Sequence, residues 1–346
     1  MRGLLMNEVQ DVLADYDIGE VREVQVAGGT AGKCWRVIAA TGSYFLRCRG
    51  TRTGSREAMQ FDHGLRKHLV AGGVPTAEPI AATSGETWAL SDGRAFELYR
   101  FVEGRAFGET QAELADTARA LARFHLVAAS YPARGSYSPI LAQFANAAPG
   151  VGGSERMDDP EVMLAAYEQL AGQYPGLAGA VEQARLLARA YDAAVYDALP
   201  RWLIHGDYHP GNLLYSDSGE VAGIFDLDWA CEHTRSRDLA DGIYYFGGRR
   251  AAPFDNASIW SMTDAVDLDF ETATAFMGAY REVAALDPDE VRALPLALRA
   301  RWLAERLEGS AKVSPEQRTW FVMRDLERPL QWLDTHGEEL IRRLTA

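Results

Sequence analysis

The sequence has little cysteine and no long apolar stretch. Its only three cysteines among 346 residues are Cys34, Cys48 and Cys231, and none of them stands in a CxxC pair. An odd, scattered set of cysteines favours neither a disulfide framework nor a structural zinc site. A membrane-spanning helix needs about 18 or more consecutive apolar residues, and the opening MRGLLMNEVQDVL turns acidic too early for a signal peptide. These absences indicate a cytoplasmic protein that does not enter a membrane.

Positive charge is also scarce. The 35 Lys and Arg residues face 49 Asp and Glu residues, which gives a formal net charge of −14, and almost all of the excess lies after residue 103. A protein that grips nucleic acid needs a basic surface against the phosphates, so nucleic acid is excluded as a partner. The acidic C-terminal part favours a cationic small molecule as partner, although the same charge also serves to keep a protein soluble.

The hydrophobic pattern changes along the chain. A length of 346 residues exceeds one typical domain of roughly 100 to 200 residues, so two cores are expected. From Val21 to Val102 short apolar runs alternate with glycine turns, as in KCWRVIAATGSYFLR and ETWALSDGRAFELYRFV, which predicts strands and hairpins. One helix interrupts them in SREAMQFDHGLRKHLVAGG and is predicted to end at Gly72 and Gly73.

After Gly104 the chain consists of long Ala- and Leu-rich segments, which are typical of helices. Helices are predicted in residues 112–129, 177–199, 271–285, 289–308 and 315–345. The Gly-, Pro- and Ser-rich residues 132–160 predict a loop. The pattern therefore predicts an α+β protein with a small, strand-rich lobe in residues 1–102 and a larger helical lobe in residues 103–346. A cleft between two lobes is a common ligand site.

One polar island stands inside the helical part, IHGDYHPGNLLYSDSGEVAGIFDLDW, residues 204–229. Asp207 and Asn212 fit the pattern D-x-x-x-x-N, and after an SDSG turn Asp226 ends the apolar run VAGIF. A hairpin brings Asn212 and Asp226 to the same end, and carboxylate and amide oxygens are ligands that Mg²⁺ prefers. With Asp207 as the base for an attacking hydroxyl, this spacing predicts phosphoryl transfer.

These motifs carry a resemblance to a known family. IHGDYHPGNLL, IFDLDWA and the following RDLAD resemble the aminoglycoside phosphotransferase and choline kinase superfamily, and are similar to its homoserine-kinase-like and stress-response-kinase-like bacterial branches. The resemblance implies a bilobal, protein-kinase-like fold that uses ATP and Mg²⁺ to phosphorylate a hydroxyl group of a small molecule. It also implies that Asp207, Asn212 and Asp226 are catalytic, and that Asn212 and Asp226 bind the metal.

The resemblance extends to the nucleotide site of the small lobe. AGGTAGKCWRV, residues 27–37, resembles the loop that covers phosphates, where glycine lets backbone N–H groups approach. Arg47 matches the basic residue that pairs with the nucleotide, Glu57 matches the glutamate that holds this cation, and Arg49 is the alternative cation. FELYRFVEG resembles the last strand and connector, where adenine bonds to the backbone. The implied cofactor-binding residues are Gly28, Gly29, Gly32, Lys33, Arg47, Glu57, Arg100 (carbonyl) and Val102 (N–H).

The histidines of the island are expected to be structural. His205 and His209 are four residues apart, like a helical metal-binding pair, but the Pro-Gly pair that follows disfavours a continuous helix. Both are therefore expected to form structural hydrogen bonds, as is His125 in LARFH.

The remaining aspartates have different expected roles. Asp217 belongs to the SDSG turn, where aspartate is a common turn residue. Asp238 resembles a family aspartate that braces the catalytic loop through backbone hydrogen bonds. Asp228 has two interpretations, as a ligand of metal or substrate and as a structural carboxylate.

Three functions of different classes fit these residues. The first is ATP- and Mg²⁺-dependent phosphorylation of a small molecule, such as an amino alcohol, amino sugar, homoserine-like compound or aminoglycoside. The second keeps the fold with a protein Ser or Thr as acceptor, but IFDLDWACEHTRSRDLADG lacks a segment that ends in A-P-E. The third is a metal hydrolase that uses His205, Asp207 and His209, and the 7 scattered histidines supply no further cluster for it.

Overall fold

The small lobe is built on one antiparallel sheet. Its strands are β1 (Val21–Ala27), β2 (Lys33–Ala39), β3 (Gly42–Cys48), β4 (Ala89–Ser91) and β5 (Arg94–Arg100). The computed structural model describes residues 2–27, 33–50, 53–132, 159–255 and 257–345. The strands follow the order β1-β2-β3-β5-β4, and each neighbouring pair is antiparallel. The predicted strands and hairpins of this region therefore form a single sheet.

The core of the small lobe lies between this sheet and helix α1 (Arg2–Leu13). Val12 and Leu13 of the helix are buried against Trp35 and Val37 of β2 and Leu98 of β5. Residues of β2 alternate between more and less buried positions, as the period of a half-buried strand requires. The sheet thus buries one apolar face and leaves β3 and β5 side by side at its centre.

Helix α2 (Arg56–Ala71) joins the two lobes. It begins as predicted, because the Ser55 side chain accepts the Ala58 N–H, and it ends at Gly72. Leu65 and Leu69 of α2 belong to the apolar core of the large lobe. A Cβ on Gly72 would lie 2.3 Å from the Val127 side chain, so the end of α2 packs closely on the helical lobe.

The large lobe is mainly helical. Its helices are α3 (Gln111–Ala128), α4 (Pro160–Gln173), α5 (Ala178–Ala190), α6 (Ala193–Ala198), α7 (Ser236–Gly242), α8 (Phe270–Arg281), α9 (Pro288–Arg292), α10 (Leu294–Ser310), α11 (Arg318–Met323) and α12 (Glu327–Thr345). Most of the predicted loop, residues 133–158, lies outside the described residues. Within the described ranges, none of the helices is long and apolar enough to cross a membrane.

Three of the predicted helices are interrupted. Residues 177–199 form α5 and α6, because Asp192 between them caps α6 by accepting the N–H groups of Ala194 and Val195. The predicted helix 289–308 is divided into α9 and α10 at Ala293. In residues 315–345, α11 and α12 are separated near Asp325, whose φ is 50°.

Two small antiparallel strand pairs interrupt the helices. The predicted hairpin consists of β7 (Leu213–Tyr215) and β8 (Val221–Ile224), with Leu213 opposite Ile224. Strand β6 (Trp202–Ile204) pairs with β9 (Cys231–His233), which the sequence pattern did not predict. The β6–β9 pair joins the two ends of the polar island, and the β7–β8 hairpin lies within it.

Candidate active site

The loop from His205 to Asn212 follows β6 and carries the predicted base. Gly206 in this loop has a φ of +80°, which favours glycine. A Cβ at this position would lie 2.4 Å from the carbonyl oxygen of Trp229, so a larger residue would also clash with backbone. The glycine before Asp207 therefore has a steric cause, because the loop turns tightly against the segment that follows β8.

Helix α7 braces this loop through Asp238. Its Oδ2 accepts the His205 N–H at 2.7 Å, and its Oδ1 accepts the Gly206 N–H at 2.8 Å. His125 contacts the same carboxylate at 3.0 Å. Burial raises the pKa of Asp238, but the hydrogen bond from His125 and the nearby groups outweigh burial and lower it. The predicted bracing role of Asp238 is confirmed.

Asp207 is a partly buried carboxylate within this loop. Its Oδ2 lies 3.1 Å from the Asn212 Nδ2 and 3.4 Å from the His209 Nε2. Burial raises the pKa of this carboxyl, but His209, followed by Arg301 and His205, outweighs burial and holds the pKa well below its ordinary value. Asp207 is therefore ionised at neutral pH and can accept a hydrogen bond from a hydroxyl group.

Asn212 and Asp226 meet at one end of the β7–β8 hairpin, as the sequence predicts. The Phe225 N–H donates to the Asn212 carbonyl at 2.8 Å, which places the residue after Phe225 beside the loop. Asp226 has a φ of 58° and a ψ of 69°, a left-handed conformation that aspartate tolerates and that is often found at functional sites. The Asn212 amide nitrogen donates to the Asp207 carbonyl at 2.8 Å.

These side chains suit a hard divalent cation. With the amide nitrogen of Asn212 engaged by Asp207, its Oδ1 accepts no hydrogen bond within the described part of the chain. The Asp226 side chain is 31% exposed, whereas the Asp228 side chain is only 10% exposed. An amide oxygen and an accessible carboxylate fit Mg²⁺, which takes few protein ligands and keeps other positions for water and phosphate.

Arg47 reaches three carboxylates, and Glu57 is not one of them. Its guanidinium lies 3.5 Å from Glu97, 3.3 Å from Asp226 and 2.7 Å from Asp228. Glu97 stands opposite Arg47 in the β3–β5 pair. The predicted Arg47–Glu57 ion pair is wrong, because Glu57 lies in the exposed first turn of α2 and forms no ion pair with any described residue.

The carboxylate that α2 supplies is Asp62, and its partner is Arg49. The buried Arg49 side chain pairs with Asp62, with Glu97 at 2.9 Å and with Asp228. Burial raises the pKa of Glu97, but Arg49, a hydrogen bond from His63 and Arg47 outweigh it, so this pKa is far below its ordinary value. The sequence did contain a signal for Glu97, because an acid within the apolar strand FELY needs a buried cation.

Asp228 is engaged by both arginines. Its Oδ1 accepts from Arg49 and from Arg47 at 3.3 Å, and its Oδ2 accepts from Arg47 at 2.7 Å. Burial raises the pKa of Asp228, but Arg47 and Arg49 outweigh burial and lower it. Of the two interpretations of Asp228, its contacts favour the structural carboxylate, which here links the large lobe to strand β3.

The histidines of the loop form hydrogen bonds within the protein, as predicted. His205 is fully buried, with Nε2 2.9 Å from the Phe225 carbonyl and Nδ1 accepting the Asp207 N–H at 3.2 Å. The His209 Nδ1 accepts the Gly211 N–H at 3.0 Å. Because these nitrogens are occupied, the arrangement disfavours a hydrolase that binds metal through His205 and His209. His125 likewise contacts the Tyr280 hydroxyl at 2.7 Å.

The other predicted nucleotide-binding residues lie along β2, β5 and the connector. Phe101 donates its N–H to the Ser43 carbonyl at 3.0 Å. Bonded and non-bonded residues alternate in an antiparallel pair, so the Arg100 carbonyl points away from β3. Val102 follows in the connector, and Lys33 is the exposed first residue of β2. Three of the predicted residues, Gly28, Gly29 and Gly32, lie outside the described residues.

On its large-lobe side, the loop faces helix α10. Arg301 of α10 donates to Asp241 at 2.6 Å, and Asp241 accepts the Tyr208 N–H at 3.2 Å. Glu308 stands two turns after Arg301 and forms no hydrogen bond or ion pair with any described residue. Burial raises the pKa of Glu308, Arg301, Arg237 and Lys312 act in the opposite direction, and the charge of Asp207 adds to the rise. Sequence reasoning did not single out Glu308.

Comparison with known proteins supports the resemblance stated above. A family model described as "Phosphotransferase enzyme family" matches residues 23–261. A homoserine kinase from Parvibaculum lavamentivorans is 27% identical over 306 residues, which is 87% of this chain and 84% of that protein. A homoserine kinase from Neisseria meningitidis serogroup B is 26% identical over 299 residues, 85% of each chain.

Solved structures share the fold at low sequence identity. A microcompartment-associated aminopropanol kinase aligns with a TM-score of 0.63 at 16% identity, covering 98% of this chain and 99% of that chain. The family match spans more than half of the 346 residues. The predicted α+β, protein-kinase-like fold is thus confirmed, and the chain belongs to the phosphotransferase enzyme family, as a small-molecule phosphotransferase.

Proposed function

We propose that this enzyme transfers the γ-phosphoryl group of ATP to a hydroxyl group of a small molecule that also carries an amino group, with Mg²⁺ as the metal. The strongest support is the convergence of Asn212 and Asp226 beside the ionised Asp207. Phosphoryl transfer needs a carboxylate to orient the attacking hydroxyl and cations against the phosphates, with little covalent chemistry from the protein.

In this proposal, the Asp207 carboxylate accepts the hydrogen bond of the acceptor hydroxyl and takes its proton as the oxygen attacks the γ-phosphorus. The bond between that phosphorus and the β,γ-bridging oxygen breaks, and ADP leaves. Asn212 and Asp226 would hold Mg²⁺, which neutralises phosphate charge when bound. His209 and Asn212 keep the Asp207 carboxylate in place through their contacts at 3.4 and 3.1 Å.

The small lobe would bind the nucleotide. Arg47 supplies the cation for the phosphates, and Asp228 and Glu97 fix its guanidinium. The Arg100 carbonyl and the Val102 N–H would bind adenine, and Lys33 with the glycines at 28, 29 and 32 would cover the phosphates. In this proposal, the lobe of residues 1–102 binds the nucleotide, and the lobe of residues 103–346 binds the acceptor and carries the catalytic residues.

The position of Glu308 near the proposed base favours an acceptor that carries an amino group. Burial raises the pKa of its carboxyl and the charge of Asp207 adds to this, while Arg301, Arg237 and Lys312 act in the opposite direction, and it forms no ion pair with any described residue. An ammonium group bound beside this carboxyl would favour its charged form. The names of the relatives agree, since homoserine and aminopropanol each carry a hydroxyl and an amino group.

The test is an ATP-consumption assay with Mg²⁺ and a panel of acceptors: homoserine, choline, ethanolamine, hexosamines, aminoglycosides and a generic protein. With the best acceptor, Asp207→Asn should lower kcat by about 10²- to 10⁴-fold, the usual contribution of a positioned base. Asp217→Asn, in the exposed SDSG turn, is the matched control and should keep full activity. Wild-type kcat in Asp207→Asn would refute the assignment of the base.

A further inference from the structure

Arg250 lies close to the candidate active site but has no role in the chemistry described so far. It follows the turn formed by Ile243–Gly247, and its Nη1 donates to the Tyr245 carbonyl at 3.1 Å. Its guanidinium lies 5.3 Å from the centre of the Tyr245 ring and 5.9 Å from that of Phe254. Stacking on aromatic rings holds the flat guanidinium in one orientation.

The same two rings contact the catalytic loop. The His209 ring lies 5.8 Å from the Tyr245 ring and 5.3 Å from the Phe254 ring. His209 in turn lies 3.4 Å from the Asp207 carboxylate. One layer of aromatic side chains therefore connects Arg250 to His209 and, through it, to the proposed base.

Arg250 forms no ion pair with any carboxylate in the described part of the chain. Other buried or partly buried arginines pair with carboxylates, namely Arg47, Arg49, Arg66, Arg235 and Arg301. Arg306 has no carboxylate partner either, but it donates to three backbone carbonyls. Arg250 forms one hydrogen bond, its buried Nε has no partner, and no carboxylate of the described chain lies within 4.0 Å of its guanidinium.

The charged groups nearest to Arg250 do not form an ion pair with it. Burial lowers the pKa of Arg250, while the Tyr245 side chain, Asp264 and Glu109 act in the opposite direction. Asp264 is already paired with Arg324 at 2.5 Å. A cation held in this way, with unused donors in a planar fork, matches a carboxylate ligand.

We propose that Arg250 binds a carboxylate group of the acceptor, so that the substrate is a hydroxylated amino acid and not a simple amino alcohol. This rests on the proposed function, because it places the carboxylate on the molecule whose hydroxyl meets Asp207. Arg250 becomes the residue that distinguishes carboxylated from carboxylate-free acceptors.

Two acceptors that differ only in the carboxylate test the proposal: L-homoserine and 3-amino-1-propanol. Arg250→Gln should lower kcat/KM for L-homoserine by about 100-fold, mainly through KM, because the site would no longer bind the carboxylate. The value for 3-amino-1-propanol should not change. Arg250→Lys, which keeps the charge but loses the fork, should fall between the wild type and Arg250→Gln.

Arg249→Gln is the matched control, since the Arg249 side chain is 73% exposed and pairs with Asp269 at 3.0 Å. It should leave both acceptors unaffected. An equal effect of Arg250→Gln on both acceptors, or none on L-homoserine, would overturn the role of Arg250 while leaving the kinase activity intact.

Titration calorimetry with L-homoserine separates this proposal from the proposed function. Binding to the wild type that is lost in Arg250→Gln, without phosphate transfer, would support the carboxylate site and refute the kinase chemistry. Absence of L-homoserine binding to the wild type would overturn the carboxylate site, whichever acceptors are phosphorylated.

Discussion

At the scale of single residues, Asp228 holds two cations, Arg47 of β3 and Arg49 just after the end of that strand. Its two oxygens bind Arg47 and Arg49, although it belongs to the large lobe. A carboxylate that bridges two buried guanidinium groups both neutralises them and fixes their direction. If Arg47 binds phosphate as proposed, its guanidinium depends on an ionised Asp228 to hold it in position.

We expect Asp228→Asn to raise the KM for ATP by about 10- to 100-fold, because Arg47 would lose the charged partner that holds its guanidinium in place for the phosphates. The kcat at saturating ATP should fall much less, since Asp207 and Asn212 are unchanged. Initial rates at varied ATP measure both constants, with Asp217→Asn as the exposed control. An unchanged KM with a large loss of kcat would instead indicate that Asp228 acts on the reacting groups.

The residue scale also shows what the sequence could predict. Asp207, Asn212 and Asp226 lie within 20 positions of one another around one hairpin, so their spacing determines their convergence. Glu57 was misassigned because the helical phase of α2 relative to β3 depends on tertiary packing. Glu97 faces Arg47 only through the register of β3 and β5, which distant parts of the chain set together.

At the scale of elements, the N-terminal turn of α7 supports the catalytic loop. Asp238 receives two backbone N–H groups of the loop and contacts His125, all in a fully buried position. A carboxylate that accepts several hydrogen bonds is stabilised in its charged form. The same Asp238 contacts therefore stabilise the large lobe and position the loop that carries Asp207.

Asp238→Asn should lower the free energy of unfolding by about 3 kcal/mol at pH 7, because it removes a buried charge that N–H donors stabilise and leaves donors unpaired. The folded-state pKa of Asp238 is lowered, so its contribution is present above the unfolded value of about 3.9 and is lost as pH falls further. The difference between variant and wild type should thus shrink below about pH 4.

Urea unfolding at several pH values measures this difference. Asp267→Asn is the control, because Asp267 is half-exposed and pairs with Arg328 only at the surface. A difference that stays constant down to acidic pH would mean that the charge of Asp238 does not contribute to stability.

Element boundaries were the least predictable part of the fold. The Ala- and Leu-rich residues 177–199 have uniform helical character, and only the cap formed by Asp192 divides them. Strands β6 and β9 are three residues each and pair across the intervening hairpin, so neither has enough periodicity to be recognised alone. In contrast, Ser55 and Gly72 mark both ends of α2 in the sequence.

At the scale of the whole molecule, the two lobes meet through charges. Three arginines and four carboxylates form one network across the cleft, made up of Arg47, Arg49, Arg66, Asp62, Glu97, Asp226 and Asp228. Asp226 is the most exposed of these carboxylates, and among the described residues its only ion pair is with Arg47, at 3.3 Å. In the proposed function, the carboxylate of Asp226 is therefore the one available to bind Mg²⁺.

The increase in Tm that Mg²⁺ adds to nucleotide binding should therefore depend on Asp226. A non-hydrolysable ATP analogue should raise the Tm of the wild type, and Mg²⁺ should add to the rise, because a ligand that binds only the folded state stabilises it. Saturation at about 100 times Kd corresponds to about 2.7 kcal/mol. Asp226→Asn should lose the increment due to Mg²⁺ and keep the metal-free part, since the Asn side chain lacks the charge that binds the cation. Melting curves with the analogue in EDTA and in Mg²⁺ measure both parts, with Asp217→Asn as control. An Mg²⁺ increment of wild-type size in Asp226→Asn would place the metal on other ligands.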